Sequence, residues 1–151
     1  MDPVADAINS LGAILRSLQL TAYAPRFEAN TYNTGKSEIS GTGTLDVWVP
    51  PSGKTWVLKG FVVTAVVYDV FVATEDMLLY FYDDDDSDRL VAPIGAFTAT
   101  AAAGTIISRD VADLGSGRRG SAPGSKLKIK LDKDIGGGNV TIGWCVWGDE
   151  V

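Results

Sequence analysis

The feature that most constrains this chain is a two-residue alternation of apolar and polar side chains that begins at Leu45. This repeat is typical of β-strands that bury one face, because successive side chains of a strand point to opposite sides of the sheet. It is clearest in residues 126–131, where lysine alternates with leucine and isoleucine. About seven or eight such segments follow one another without an intervening helical repeat, which predicts an all-β fold, a jelly-roll-like antiparallel β-sandwich.

The strands predicted from this alternation are separated by turns rich in glycine, proline and aspartate. They are residues 45–49, 77–82, 90–94, 105–108, 126–131 and 140–147. The apolar run 54–73 is longer than a typical strand. We therefore expect it to hold two strands, with a bend or bulge near Gly60 or Asp69.

The first 20 residues have a helical repeat instead of a strand repeat. Their apolar side chains recur at spacings of three and four, so they form one stripe along a predicted amphipathic helix. The residues of this apolar stripe are Val4, Ile8, Leu11, Leu15 and Leu18. Asp2 is a suitable N-cap and Pro3 a suitable first-turn residue. A helix this short is marginal alone, so the stripe should lie either on its own domain or on a neighbouring subunit or larger surface.

Residues 21–43 have no strong repeat and are rich in polar residues and glycine. We interpret them as an extended arm or a series of turns that crosses a surface. Tyr23, Phe27 and Tyr32 are candidate anchors of this arm on a partner, with ordinary packing as the alternative. The predicted organisation is an N-terminal helix and arm over residues 1–43 and a β-sandwich domain over residues 44–151.

Histidine is absent and cysteine occurs once, as Cys145. Ser-His or Cys-His catalytic pairs, zinc sites with imidazole ligands and intrachain disulfides are therefore excluded. A formal net charge of −6 argues against nucleic acid as a partner, because phosphate binding depends on lysine and arginine. No apolar run is long enough to cross a membrane, and Asp2 and Asp6 stand where a secretory leader carries basic residues. We expect no membrane partner and no cleaved leader.

The acidic run Asp83–Asp86 is the most conspicuous candidate site. We interpret it as a solvated turn after a strand, with a loose calcium site as the alternative. An EF-hand is excluded, because the positions that need glycine and glutamate hold Arg89 and Gly95. The run 115–120 matches a dinucleotide-binding pattern, but a strand follows it where that motif needs a helix, so we expect a flexible loop. We predict no cofactor.

Charged residues are unevenly distributed along the chain. Residues 69–88 hold eight acidic residues and no basic residue, whereas residues 118–133 hold six basic residues. If the two segments occupied opposite flanks of the domain, symmetric copies would meet with unlike charges in contact. The candidate inter-subunit charge contacts are Asp84, Asp86, Arg118, Arg119, Lys126, Lys128 and Lys130.

Three segments of the chain form a distinctive set of turn and strand motifs: residues 54–60 (KTWVLKG), 120–127 (GSAPGSKL) and 140–150 (VTIGWCVWGDE). Together they resemble parts of small jelly-roll proteins of tailed-bacteriophage virions, above all the capsid decoration (cement) proteins. The resemblance implies a structural protein without catalytic residues, made in the host cytoplasm and seated as a homotrimer on the capsid surface of the virion. Its implied partner is the major capsid protein, whose neighbouring subunits it would bridge. It also implies an N-terminal arm that reaches adjacent molecules.

A second interpretation is a carbohydrate-binding or host-adhesion module associated with a phage tail or fibre. Such a module would use exposed tryptophans and the acidic loop. The candidate platform is Trp48, Trp56, Trp144 and Trp147. Tryptophans on strands are more often core or interface residues, so this interpretation depends on their exposure.

Overall fold

The computed structural model describes residues 3–11, 29–86 and 89–151 of the chain. Residues 3–11 form an α-helix, α1, and the strands follow it. They are β1 (Thr31–Ser40), β2 (Thr44–Trp48), β3 (Trp56–Asp69), β4 (Met77–Asp83), β5 (Arg89–Phe97), β6 (Ile106–Val111), β7 (Arg118–Arg119), β8 (Leu127–Leu131) and β9 (Asn139–Glu150). Within the described ranges, no helix has the length and hydropathy of a membrane span.

The strands form two antiparallel sheets. The first sheet has the order β1-β9-β3-β6, with the short strand β7 paired to the start of β3. The second sheet has the order β2-β8-β4-β5. This arrangement, in which the chain passes repeatedly between two facing sheets, is that of a jelly roll. The predicted all-β, jelly-roll-like sandwich is confirmed.

The two sheets bury their facing sides against each other. Leu127, Ile129 and Leu131 of β8 are buried, as the lysine–leucine alternation predicts. Phe61 of β3 and Phe81 of β4 meet edge to face across this core, with 4.7 Å between ring centroids. That arrangement suits the ring quadrupoles. The sandwich thus has a core of its own, formed by the strands and the loops between them.

Strand β1 corrects the predicted boundary between arm and sandwich. Residues 31–43 are predicted to belong to the arm, but Thr31–Ser40 pairs with β9 over its whole length. The sandwich therefore begins at Thr31 rather than at residue 44. The alternation is missing from β1 because Ile39 is its one buried side chain. Gly35 has a packing role instead, since a Cβ there would overlap the indole of Trp144 in the paired strand.

Strand β3 is one strand of 14 residues, where the sequence predicts two. Its pairing with β9 shifts register between Leu58 and Gly60 and again between Val67 and Asp69. These irregularities lie at the two positions predicted for a bend. A β-bulge bends a strand without ending it, so the long apolar run remains continuous.

Candidate functional site

Helix α1 carries the first three residues of the predicted apolar stripe at its surface. Val4, Ile8 and Leu11 are 66%, 64% and 57% exposed, and every residue from 3 to 11 is exposed. The alternative in which the helix packs on its own domain is therefore wrong for these three side chains. A row of exposed apolar residues on one helix face is typical of an interaction site.

The other predicted contact residues divide into two groups. Leu15, Leu18, Tyr23 and Phe27 lie outside the residues that the structure describes. Tyr32 lies on β1 opposite Trp147 of β9, and its side chain is 53% exposed. Tyr32 thus belongs to the outer face of the first sheet rather than to a separate arm.

The acidic turn and the lysine strand lie side by side, so the condition that they occupy opposite flanks of the domain is not met. The carboxylate of Asp84 accepts a hydrogen bond of 2.6 Å from the backbone amide of Lys126. Strand β4, which leads into the acidic turn, pairs directly with β8. Antiparallel pairing brings segments that are distant in the sequence into contact. Separation of charge along the chain therefore does not predict separation in space.

Three lysines in and beside β8 contact groups within the same molecule: Lys126, Lys128 and Lys130. Lys126 and Lys128 both form ion pairs with Asp46 of β2, at 3.2 and 3.1 Å. Burial would raise the pKa of Asp46, but hydrogen bonds from Lys128 and Lys126 outweigh it and hold that pKa below its usual value. The ammonium group of Lys130 lies 4.5 Å from the ring centroid of Tyr82. These lysines therefore make contacts within their own chain, on the outer face of the second sheet.

The remaining candidate charges lie near the acidic turn. Asp86 forms an ion pair with Arg89 at 3.5 Å. Arg118 and Arg119 are exposed on β7, and the carbonyl oxygen of Arg119 accepts a hydrogen bond from Arg89. Among the basic candidates, Arg118 and Arg119 are the two exposed residues.

Asp83 has a structural role that the sequence does not reveal. Its buried carboxylate accepts hydrogen bonds from the backbone amides of Ser121 and Asp85, at 2.6 and 3.1 Å, and from the Arg89 guanidinium, at 3.1 Å. Burial would raise the pKa of Asp83, but these hydrogen bonds outweigh it and hold the pKa below its usual 3.8. Asp83 therefore fixes the end of β4 to the loop before β8. In the sequence, Asp83 is the first of four consecutive aspartates, and no sequence pattern distinguishes it from the other three.

Neither the calcium site nor the tryptophan platform is assembled in the described part of the chain. No group of three or more acidic or cysteine side chains there is placed to hold a metal ion. Trp48 and Trp56 are core residues, and the Trp48 indole donates a hydrogen bond to Glu150. Trp144 packs against the core from β9, and Trp147 is half-buried. The four rings therefore do not form one exposed surface.

Comparisons with known proteins find matches among solved structures. No protein-family model and no curated protein matches the sequence. A chain of the cyanophage Pam1 capsid is 15% identical, with 80% of this chain and 86% of that chain covered and a TM-score of 0.40. A chain of the acid-stable capsid of Helicobacter pylori bacteriophage KHP30 is 12% identical, with 79% and 89% covered and a TM-score of 0.43. The Drosophila NLP core, a structure concerned with pentamer formation and histone binding, is 18% identical, with 79% and 99% covered and a TM-score of 0.39.

Proposed function

We propose that the chain is a structural virion protein that binds the outer surface of a bacteriophage capsid and stabilises the shell. The observation that carries this proposal is the row Val4, Ile8 and Leu11, which is exposed on a helix preceding a sandwich with its own core. The sandwich supplies a rigid body, and the helix supplies an apolar contact segment. The sequence resemblance to capsid decoration proteins supports the major capsid protein as the partner.

The energetics favour docking of this helix on a preformed surface. Burying one such side chain contributes about 1.5–3 kcal/mol, so the three residues together contribute several kcal/mol. This gain offsets the entropic cost of ordering the helix and its side chains on binding. A protein that binds the assembled shell and not its separated subunits stabilises the shell by mass action. Leu15, Leu18, Tyr23 and Phe27 extend the proposed contact on the basis of the sequence pattern, and Tyr32 continues it on the sandwich.

The proposed oligomer is the homotrimer that the resemblance implies, placed so that it bridges neighbouring capsid subunits. Arg118 and Arg119 are the better candidates for charge contacts between its copies, because their side chains are exposed. Lys126 and Lys128 are poorer candidates, since both already pair with Asp46 of their own chain.

Co-sedimentation with empty capsids of the phage tests the proposal. We expect the wild-type protein to pellet with capsids and the Ile8→Ala/Leu11→Ala variant to bind about tenfold more weakly or worse, because two apolar contacts are lost. Alanine is the best helix former, so these substitutions remove contacts and keep the helix. Val49→Ala, at another exposed apolar side chain, is the matched control and should bind like wild type. Absence of wild-type binding, or full binding by the double variant, would contradict the proposal.

A further inference from the structure

Strand β1 is a long and regular edge strand. In the described part of the chain, the edges are β1, β6 and the two-residue β7 in the first sheet and β2 and β5 in the second. β7 is too short to serve as a template, and three of the other strands have features that protect sheet edges from pairing. β2 has five residues and a register shift, β5 contains Pro93 and pairs through two register shifts, and β6 has six residues that include Arg109 and Asp110.

Strand β1 has none of these protections except charge. It is ten residues long, contains no proline and pairs with β9 without a register shift. Up to Ser40, whose carbonyl oxygen accepts a hydrogen bond from the Gly43 amide at 2.9 Å, its outward N–H and C=O groups form a template for a further strand. Lys36 and Glu38 are exposed on its outer face, and the residues opposite them on β9 are Gly143 and Thr141. Their own sheet thus gives neither charge an oppositely charged cross-strand neighbour.

We propose that two copies of this chain pair antiparallel through their β1 edges, with Ser37 on the two-fold axis. Only every second residue of an edge strand directs its backbone N–H and C=O groups outward, and residues that lie opposite each other in an antiparallel pair must match in this respect. In a pair of identical strands, the numbers of two opposite residues therefore always add up to an even number. With Ser37 opposite its own copy, Lys36 of each chain faces Glu38 of the other.

The same two charges disfavour the adjacent registers. Moving the axis to residue 36 places lysine opposite lysine, and moving it to residue 38 places glutamate opposite glutamate. Like charges directly opposite each other destabilise a strand pair, whereas unlike charges stabilise it. The charges on β1 therefore select one register rather than preventing pairing altogether.

This contact is separate from the proposed capsid contact, because it uses the backbone edge of residues 34–40, whereas the capsid contact uses α1 and the exposed side chain of Tyr32. A two-fold contact of this kind is isologous, so the same edge serves both copies. In the proposed homotrimer, it would join copies that belong to neighbouring trimers. Its test uses the purified chain without capsids, so its failure leaves the capsid proposal standing, and the reverse is also true.

Charge exchange on β1 tests the proposal by sedimentation over a range of concentrations. Lys36→Glu and Glu38→Lys should each weaken self-association about tenfold or more, because two attractive pairs per dimer become repulsive. The Lys36→Glu/Glu38→Lys variant should associate like wild type, and an equimolar mixture of the two single variants should form a mixed pair. Lys54→Glu, at an exposed lysine outside β1, is the control and should have no effect. Failure of the mixture to associate better than its components would overturn the proposal.

Disulfide trapping tests the register in a Cys145→Ser background, which removes the one native thiol. Ser37→Cys should form an intermolecular disulfide under mild oxidation, because residues opposite each other across an antiparallel pair lie within disulfide range. Ser40→Cys should not, because the proposed register separates it from its own copy by about 20 Å along the strands. Both serines are exposed. Equal trapping at the two positions, or trapping at Ser40→Cys alone, would refute this register.

Discussion

Replacing Asp83 with asparagine should lower the free energy of unfolding at pH 7 by about 3 kcal/mol, because the buried group loses its charge and one of the two oxygens that accept hydrogen bonds from three donors. An amide at this position can offer one oxygen, and its NH₂ group must then face a donor. The Arg89 guanidinium also loses its partner. Chemical denaturation measures the change. The control is Asp85→Asn at an exposed neighbour in the same acidic run, for which we expect a change within about 0.5 kcal/mol.

The pH dependence separates this charge effect from a general loss of packing. The pKa of Asp83 lies below its usual 3.8 in the folded chain, so its ionised form stabilises the fold above pH 3.8. That stabilisation disappears as the pH falls through the folded-state pKa. The difference in stability between wild type and Asp83→Asn should therefore shrink on acidification below pH 3.8. A difference that stays constant down to the acid limit would contradict the role assigned to this carboxylate.

Gly148→Ala should destabilise the sandwich by about 3 kcal/mol or more, and in the extreme prevent folding. A Cβ at Gly148 would overlap the carbonyl oxygen of Val57 in the neighbouring strand β3. This obstacle is backbone, so no side-chain rotation relieves it. The close approach arises where the pairing of β3 and β9 shifts register after Leu58, next to the first bulge of β3.

Gly143→Ala is the matched control for Gly148→Ala, because it makes the same chemical change in the same strand. A Cβ at Gly143 meets no heavy atom within 4 Å. We expect it to be neutral or slightly stabilising, since alanine restricts the unfolded chain more than glycine does. Thermal or chemical unfolding of both variants gives the comparison. Equal destabilisation by the two substitutions would contradict the register of β9 against β3.

The sandwich could be predicted from the sequence wherever a strand has one apolar and one polar face. Strand β8 shows this best, because its alternating lysines and apolar residues specify both the strand and its buried side. Strand β1 could not be predicted in the same way. Its place in the sheet depends on pairing with β9 and on the space that Gly35 leaves for Trp144, and neither relation is local.

In the candidate site, too, the sequence predicts features that depend on local spacing and misses those that depend on contacts between distant residues. The spacing of Val4, Ile8 and Leu11 indicates one helix face, and the structure confirms the helix over residues 3–11 with these side chains exposed. The charge contacts were not predictable, because their neighbours come from other strands. Asp46 lies 80 residues before Lys126, yet the two side chains form an ion pair through the pairing of β2 with β8.

Amide hydrogen exchange of α1, measured on the protein alone and bound to empty capsids, tests the central claim most directly. In the free protein, residues 3–11 should exchange rapidly, because a short exposed helix is only marginally stable. On the capsid, we predict that these residues become strongly protected together, while the buried strands of the sandwich keep the protection they already have. Capsid binding that leaves the exchange of residues 3–11 unchanged would contradict the claim that the apolar face of α1 is the contact with the shell.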